Sequence, residues 1–337
     1  MTELSKLHLP LDIKILKHLL ISRTDAIGDV ILTLPMAAYL KELHPQARVS
    51  FLGRAYTGPV IKCSPFVDEF IDYTALLNLG DKEQAAFLRD KNIDAIIHVF
   101  PNKHVAALAK QAGIKTRIGT TNRLFHWHTC TKLVRLSRKK SDLHEAQLNL
   151  ALLKPLGFAK VPSLADIISH NHFAPTIALP TPLQNLLAKD KFNLILHPKS
   201  HGSAMEWGLD KFRALAERLD ADKFNIFITG SDKEQALLEP WIARLPANVN
   251  DVTGQMSLDE LIAFIAKADG LLAASTGPLH IAAATGVRAL GLYPGVRPMK
   301  AQRWGPLGKQ AEYLESAGAD LNDITVDVVA AKISRWI

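Results

Sequence analysis

The stretch "KHLLISRTDAIGDVILTLPMAAYLKELHP" (residues 17–45) combines a strand, a loop and a helix. "KHLLIS" (17–22) is an apolar run of strand length, and "VILTLPMAAYLKELHP" (30–45) has apolar residues at helical spacing. The polar loop between them contains Gly28 and the carboxylate of Asp29. Strand, loop and helix form the repeating unit of an α/β protein, so this stretch predicts a parallel sheet covered by helices on both faces.

The same alternation continues on both sides of a proline-containing segment. The first half has expected strands at 48–53, 93–100 and 116–119, with expected helices at 82–92, 103–113 and 144–157. The second half has expected strands at 192–198, 224–230, 270–275 and 288–294, with helices at 209–219, 257–270, 278–286 and 324–337. The alternation predicts two Rossmann-like domains that face each other across a cleft.

Prolines set the predicted domain boundaries. Pro162, Pro175, Pro180 and Pro182 occur between residues 160 and 190 without a sustained period, which is typical of a linker. We therefore predict an N-terminal domain at 1–165, a linker at 166–188 and a C-terminal domain at 189–320. A closing helix at 321–337 is able to pack back on the N-terminal domain.

Composition limits the class of protein and its partners. The 337 residues are 48% hydrophobic and 22% charged, an ordinary globular balance. The net charge of +7 favours nucleic acid, phosphorylated metabolites or an anionic membrane surface, without choosing among them. No uncharged apolar run approaches the roughly 20 residues that cross a bilayer. Two cysteines and an N-terminus interrupted by Asp12, Lys14 and Lys17 predict a cytoplasmic protein with reduced thiols.

Two loops of the second half have the character of phosphate-binding loops. In "STGPLHIAAATG" (275–286), a strand end is followed by Thr276, Gly277 and Pro278 at a helix start. A helix N-terminus at this edge of a sheet suits a diphosphate, although an ordinary βα turn has the same pattern. "LHPKSHGSAMEWG" (196–208) carries Lys199 and Ser203 and is either a second phosphate loop or plain surface.

The sequence alone leaves two interpretations of Asp29 open: a helix cap, or the group that performs the chemistry. The chain has neither G-x-G-x-x-G nor a P-loop, which argues against hydride transfer and ATP hydrolysis. "HWHTC" (126–130) contains metal-ligand residue types, but too few at a recognised spacing, so we expect no metal site.

In combination these motifs resemble the ADP-heptose:lipopolysaccharide heptosyltransferases, glycosyltransferase family nine, over residues 17 to 310. "ISRTDAIGDVILTLPMAAYLKELHP" is similar to the opening loop and first helix of that family. "STGPLHIAAATGVRALGLYPG" is similar to its nucleotide diphosphate motif, and "HEAQLNLALLKPLG" (144–157) and "RWGPLG" (303–308) are weaker supports. The resemblance implies a GT-B fold and inverting, metal-independent transfer of heptose from ADP-heptose to a sugar hydroxyl of the lipopolysaccharide inner core.

The resemblance also implies roles for single residues. Asp29 falls on the catalytic aspartate, which acts as general base, and this selects it over Asp25. The implied donor-binding residues are Ser275, Thr276, Gly277, Pro278 and Leu279 around the diphosphate, Glu234 on the ribose and Met256 beside adenine, together with Lys199 and Ser203. From the residues alone, the alternatives are an exposed acid in a first helical turn for Glu234 and a core methionine for Met256.

Two positions depart from the pattern of that family. Met205 stands where a lysine usually neutralises the diphosphate, and Ser275 stands where an aspartate usually holds heptose hydroxyls. Lys199, Arg297 or Arg303 could replace the lost positive charge. The departures keep two alternatives open: a GT-B transferase for another sugar nucleotide or acceptor, and a non-catalytic nucleotide-sugar or glycan-binding protein.

The segment from Arg117 to Lys140 is basic and aromatic. Its candidate acceptor-binding residues are Arg123, Lys132 and Arg135, and further cations are Arg138, Lys139 and Lys140. They could bind the phosphates and Kdo carboxylates of a lipid A acceptor, or form a solvated basic face. The same charge could hold the protein peripherally at the anionic cytoplasmic face of the inner membrane, since each nearby cation adds roughly 1 kcal/mol. Nucleic acid is not an expected partner, because charge alone supports it.

Overall fold

The computed structural model describes residues 16–138, 140–158 and 160–337, and its first sheet lies in the N-terminal half. All neighbouring strands of this sheet are parallel, in the order β3-β2-β1-β4-β5-β6. Its strands are β1 (His18–Ser22), β2 (Arg48–Gly53), β3 (Glu69–Asp72), β4 (Ala95–His98), β5 (Thr116–Thr120) and β6 (Lys132–Val134). In β1, Ile21 lies opposite Phe51 of β2 and Ile97 of β4.

The second sheet repeats this arrangement in the C-terminal half. Its strands are β7 (Phe192–His197), β8 (Phe224–Ile228), β9 (Val249–Asp251), β10 (Gly270–Ala274), β11 (Arg288–Tyr293) and β12 (Ala311–Glu315). The order β12-β11-β10-β7-β8-β9 is the order of the first sheet read from the other edge. The strand order reverses between β1 and β4 and between β7 and β10, and loops at such reversals form the binding crevices of α/β sheets.

Helices cover the sheets and connect their strands. Those of the N-terminal half are α1 (Ile27–Ile31), α2 (Pro35–Leu43), α3 (Gly58–Lys62), α4 (Tyr73–Leu76), α5 (Asp81–Asp90), α6 (Lys103–Gln111), α7 (Leu124–Thr129) and α8 (Glu145–Leu150). Two short helices follow in the connection, α9 (Leu164–Ser169) and α10 (Thr181–Gln184). The C-terminal half contains α11 (Leu209–Arg218), α12 (Asp232–Ile242), α13 (Leu258–Ile265), α14 (Gly277–Thr285), α15 (Ala301–Trp304) and α16 (Val326–Ile333).

The predicted helix at 30–45 is two helices. It begins earlier than expected, at Ile27, and is interrupted before Pro35, the first residue of α2. Proline has no N–H to donate to the preceding turn, so it starts a helix more readily than it continues one. The residue that precedes α1 is Ala26, and Asp29 lies inside the first turn. Asp29 therefore does not cap its helix.

The two halves are in contact through apolar helix ends. One group of buried apolar side chains continues from Val30 and Ile31 of α1 to Leu279 and Ile281 of α14. A Cβ added to Gly28 would lie 2.8 Å from Cδ2 of His280, and one added to Gly277 would lie 2.9 Å from Cγ2 of Ile27. The starts of α1 and α14 thus meet directly, and the two carboxyl edges of the sheets face each other.

The closing helix corrects one expectation. Within α16, Val329, Ala330 and Ile333 belong to the apolar group of the C-terminal half, together with Phe212 and Leu215 of α11. Arg218 of α11 also pairs with Asp327 at 2.9 Å. Among the described residues, the helix therefore packs on the C-terminal half and not back on the N-terminal domain.

The structure also bears on the predicted linker and on the expected absence of a membrane-spanning segment. The proline-containing connection includes α9 and α10 and buries Ile167, Leu179 and Leu183, so it is packed against the protein. None of the helices within the described ranges is both long and apolar enough to span a bilayer. Asp12, Lys14 and Lys139 lie outside the described residues.

Candidate active site

A cavity of about 460 Å³ lies between the two halves, at the reversal points of both sheets. We call it the large cavity. From the N-terminal half, the loop after β1 and the start of α1 supply its wall, together with Tyr56. From the C-terminal half, the wall includes His197, Lys199, Ser203, Met205, Ser275, Thr276, Gly277, Pro278 and Trp304.

The start of α14 supplies hydrogen-bond donors to the large cavity. The helix begins at Gly277 with Pro278 in its second position, so the N–H groups of Gly277 and Leu279 have no carbonyl one turn earlier to bind. The N–H of His280 is not free, because it donates to the carbonyl of Thr276 at 3.3 Å. The hydroxyl of Thr276 is buried and unpartnered among the described residues. This end of the helix suits an anionic group.

The loop after β7 places one cation in the large cavity. Lys199 forms an ion pair with Glu206, which also accepts from the N–H of Ser200 at 3.0 Å. The hydroxyl of Ser203 donates to the carbonyl of Ser200 at 2.7 Å, so the loop is held by its own polar groups. Met205 is 39% exposed and faces the same space without charge.

Three predicted donor-side residues do not line the large cavity. The side chain of Leu279 is fully buried and packs in the core. Met256 is half-buried against the same core. Glu234 lies in the first turn of α12, where one carboxylate oxygen accepts from the N–H and hydroxyl of Ser231 at 2.8 and 3.0 Å. Its other oxygen, Oε1, is buried, has no hydrogen-bond partner among the residues that the structure describes and lies 3.6 Å from Nε2 of His201, a residue of the cavity wall.

A second cavity of about 330 Å³ adjoins the first; residues of the N-terminal half form most of its wall, α15 of the C-terminal half supplies the rest, and arginines line it. We call it the basic cavity. Its polar wall consists of Arg23, Asp25, Asp29, His98, Thr120, Asn122, Arg123, Arg138, Glu145 and Arg303. Arg123 is thus the one predicted acceptor-binding residue that reaches this wall. Lys132 and Arg135 are exposed on the surface beyond it.

Asp29 lines both cavities. Its carboxylate accepts a hydrogen bond from Nη2 of Arg23, a buried arginine whose Nε also donates to Asp25 at 2.8 Å. Burial raises the pKa of Asp25, and the nearby charge of Asp29 raises it further, against the opposing effect of Arg23. Asp25 lines only the basic cavity, so Asp29 is the carboxylate that borders both spaces.

Glu145, at the start of α8, connects three of the arginines that line the basic cavity. Its side chain is 1% exposed and binds three guanidinium groups. Arg23 contributes Nη1 at 3.2 Å, Arg138 forms a direct ion pair, and Arg303 from α15 contributes Nε and Nη2 at 3.2 and 3.1 Å. Burial and the charges of Arg23 and Arg303 lower the pKa of Arg138 to about 9.

His98 is a wall residue of the basic cavity that the sequence analysis did not identify. It ends β4, its side chain is buried, and neither ring nitrogen has a partner among the described residues. Burial, together with the charges of His126 and Arg117, lowers its pKa to about 3, so the ring is neutral at physiological pH. The sequence contained one indication that His98 lies at the site: it ends a strand beside the point where the strand order of the sheet reverses.

Two arginines were considered as sources of the positive charge that a lysine at position 205 would supply, and neither lines the large cavity. Arg297 pairs with Asp142 at the surface, and Arg303 pairs with Glu145 in the basic cavity. Lys199 is therefore the candidate among the three that borders the large cavity. Within the described part of the chain, no three or more His, Cys, Asp and Glu side chains are grouped as metal ligands would be.

Two parallel Rossmann-like domains whose carboxyl edges face each other across a cleft define the GT-B fold, as the sequence predicted. The family model described as "Glycosyltransferase family 9 (heptosyltransferase)" matches residues 84–325. The chain belongs to this family, and it is a glycosyltransferase.

Similar proteins include two from Haemophilus influenzae. One is 27% identical over 96% of this chain and 97% of its own length, and it is named as a glycosyltransferase without a stated substrate. The other, the lipopolysaccharide core heptosyltransferase OpsX, is 23% identical over 87% of this chain and 83% of its own length. The structure of the Escherichia coli ADP-heptose lipopolysaccharide heptosyltransferase II covers 95% of this chain and 98% of its own chain, with a TM-score of 0.74 at 19% identity.

Proposed function

We propose that this glycosyltransferase moves heptose from ADP-heptose to a sugar hydroxyl of the lipopolysaccharide inner core, with inversion at the anomeric carbon. The observation that carries the proposal is the position of Asp29 on the boundary of two cavities. A general base must reach the acceptor hydroxyl while that hydroxyl approaches the anomeric carbon of the donor. A carboxylate that borders both spaces meets this requirement.

The large cavity supports the donor half of the proposal. The N-terminus of α14 and Lys199 offer an ADP leaving group a positive environment, and the unpaired oxygen of Glu234 is an acceptor for ribose hydroxyls. ADP is a good leaving group, so one base and a stabilised diphosphate suffice for an alcohol to attack. In this proposal no metal is required. The relatives whose names include heptosyltransferase support ADP-heptose as the donor.

The basic cavity supports an acidic acceptor. Arginine binds carboxylates and phosphates through two parallel hydrogen bonds, and Arg123 supplies such a group in the wall of this cavity. Arg138 and Arg303, which are bound to Glu145, add positive charge to the same wall. Asn122, Thr120 and the neutral ring of His98 supply hydrogen bonds for sugar hydroxyls. A Kdo–lipid A acceptor combines these features: carboxylates and phosphates next to hydroxyl groups.

The test of this function is transfer from ADP-heptose to a panel of truncated lipopolysaccharide acceptors, with products identified by mass. We expect turnover by the wild type in the presence of EDTA, and a loss of about 10²- to 10⁴-fold in kcat for Asp29→Asn. Asp142→Asn, which removes a surface carboxylate of the same half, serves as the matched control. Equal activity of Asp29→Asn and wild type would rule out the base, and turnover of only another sugar nucleotide would rule out the donor.

Met205 favours a second candidate, transfer from another sugar nucleotide or to another acceptor on the same fold. This methionine and Ser275 give the large cavity less charge and fewer polar groups than the family pattern would. A sugar nucleotide with a less hydroxylated sugar fits such a wall better. Competition of ADP, UDP and GDP sugars for the large cavity, measured by calorimetry, separates the two candidates.

We further propose that the protein binds peripherally to an anionic leaflet on the cytoplasmic side through α7. Leu124 and Trp127 of this helix are 85% and 57% exposed. Arg123 precedes the helix, and Lys110 donates to the carbonyl of His128 near its end. Exposed apolar side chains bordered by cations are typical of helices that lie in a membrane interface.

Co-sedimentation with phosphatidylglycerol vesicles tests the membrane proposal. We expect Leu124→Ser/Trp127→Ser to weaken binding by about tenfold or more, since each apolar side chain contributes roughly 1.5–3 kcal/mol when buried. Tyr313→Ser, at an exposed aromatic residue of β12, is the control. Equal binding of the double variant and the control would refute α7 as the contact.

A further inference from the structure

We propose that Glu145 is a positioning residue that couples the C-terminal half of the protein to the catalytic base. The inference rests on the proposed role of Asp29. A continuous series of charged contacts leads from Arg303 of α15 to Glu145, from Glu145 to Arg23, and from Arg23 to Asp29. Three segments far apart in sequence therefore meet at one buried carboxylate.

The contacts between Glu145 and Arg23 are deeply buried. The carboxylate is 1% exposed and Arg23 is 3% exposed, so water does not screen their interaction. Asn149, one turn further along α8, accepts from Arg23 and Arg138 at 3.2 and 3.1 Å and orients both guanidinium groups. The two oxygens of Glu145 divide the arginines: Oε1 binds the two from the N-terminal half, and Oε2 binds Arg303.

Glu145 has two consequences for the base. It occupies Nη1 of Arg23, so this arginine presents Nη2 to Asp29 in a single hydrogen bond and cannot turn both nitrogens to it. It also neutralises part of the positive charge around Asp29, and a carboxylate less stabilised by cations takes a proton more readily. Both effects act on the carboxylate that takes the proton in the proposed reaction.

The coupling between the halves depends on Arg303. Its side chain is 19% exposed, belongs to the C-terminal half and reaches Oε2 of Glu145 across the cleft. A separation of the halves would break this contact and leave Glu145 with the two arginines of its own half. In this inference, closure of the cleft changes the charge around the base.

Opposite pH shifts in two variants test this inference. Glu145→Gln removes a negative charge near Asp29, so the acidic limb of the kcat profile is expected to move to lower pH and kcat to fall about tenfold. Arg303→Met removes a positive charge, so the same limb is expected to move to higher pH. The KM for ADP-heptose is expected to stay within about twofold in both variants, because neither residue lines the large cavity.

Other charged groups that act on Asp29 remain in place in both variants. Those that face it from packed elements are Asp25, Tyr56 and Arg138 in addition to Arg23. His280, beside Gly28, is neutral over the assayed range because burial lowers its pKa to about 3. The variant Asp142→Asn removes a second ion pair between the halves, Asp142 with Arg297, and is expected to keep the wild-type profile.

The outcomes separate this inference from the function on which it rests. Full activity of Asp29→Asn refutes the base, whereas an inactive Asp29→Asn with unshifted profiles for Glu145→Gln and Arg303→Met refutes only the role of Glu145. Shifts of both profiles in the same direction also refute it, since a structural defect has no charge sign. Arg303→Met, at the rim of the cleft, decides alone if Glu145→Gln does not fold.

Discussion

Asp29 and Asp25 are close together in the sequence, but different groups surround their carboxylates. Arg23 binds both carboxylates, but Asp25 faces the basic cavity alone, and the hydroxyl of Tyr56 donates to its main-chain carbonyl at 2.8 Å. Asp29 lies in the first turn of α1, at the point where the two cavities meet. The residues alone left a cap and a catalytic group equally open for Asp29, and its place in the first turn removes the cap.

Glu234 and Glu260 form a matched pair for testing the ribose contact. Both are the third residue of a helix and accept from the N–H and hydroxyl of the serine before it, Ser231 or Ser257. Glu234 additionally has a buried unpaired oxygen near the large cavity, whereas Glu260 lies at the surface. We expect Glu234→Ala and Glu260→Ala to destabilise the protein equally, by about 0.5–2 kcal/mol.

Only Glu234→Ala is expected to weaken ADP binding, by roughly 10- to 100-fold, because a carboxylate that binds two hydroxyl groups contributes about 1.5–3 kcal/mol. Calorimetry with ADP and thermal unfolding of both variants give the two measurements. Equal ADP affinity in the two variants would contradict the ribose role.

Met205 provides a test of charge in the large cavity. A lysine at this position would add a second cation beside Lys199. We expect Met205→Lys to lower the KM for the donor by about tenfold, corresponding to roughly one charge-assisted hydrogen bond to a phosphate. The uncharged Met205→Gln is the control, and the gain should shrink with added salt. A donor KM that is unchanged or higher would place the diphosphate elsewhere.

At the scale of elements, the sequence predicted the central strands and missed the edges. β1, β2, β4, β5, β7, β8, β10 and β11 were recognised, whereas β3, β6, β9 and β12 were not. These four are the outermost strands of the two sheets. An edge strand is short and partly exposed, as in Val249–Asp251, so it lacks the apolar run that marks a buried strand.

The sequence also predicted only part of the functional site, but for a different reason. The motif at the start of α14 was recognised because its residues are consecutive. The cluster around Glu145 was not, because Arg23 and Arg303 lie 122 and 158 residues from it. Such a cluster is assembled by the meeting of the two halves, and no local spacing of residues reports it.

The contact between α1 and α14 is tight enough to be broken by one methyl group. A Cβ at position 28 would lie 2.8 Å from Cδ2 of His280, whose side chain is buried, so one of the two helix starts must shift. We expect Gly28→Ala to lower kcat by about tenfold or more by displacing the two helix starts, since small misplacements of reacting groups have large costs.

Gly113→Ala is the control for this prediction. Gly113 has a φ of +76° and no heavy atom within 4 Å of an added Cβ. Its replacement is expected to lower stability by about 1–2 kcal/mol through backbone strain and to leave kcat unchanged. Steady-state kinetics and thermal unfolding measure both effects. A Gly28→Ala enzyme with normal kcat would show that the helix starts have room to move.

At the scale of the whole molecule, buried histidines make stability depend on pH. Burial is the largest cause that lowers the pKa of His98 and His280 to about 3, and of His144 and His197 to about 4. In the unfolded chain these groups titrate near 6.5. Between about pH 6.5 and 4 the unfolded state therefore binds more protons than the folded state, and stability decreases as the pH falls.

Each such histidine contributes a slope of about 1.4 kcal/mol per pH unit within this window. We expect the melting temperature to fall steeply from pH 6.5 towards pH 4.5, and the free energy of unfolding of His98→Gln to depend on pH less steeply, by one bound proton. Chemical denaturation at half-unit pH intervals measures the slopes. Identical slopes for wild type and His98→Gln would mean that His98 is protonated in the folded protein.

Trp304 gives the protein an internal optical reporter. Its indole borders both cavities, its Nε1 donates to the carbonyl of Pro298 at 3.0 Å, and the guanidinium of Arg303 lies 4.5 Å above the ring. A cation at that distance and the local water content both alter indole fluorescence, and a ligand in either cavity changes them. The contribution of Trp304 to the emission of the five tryptophans therefore changes with the filling of either cavity, without any attached dye.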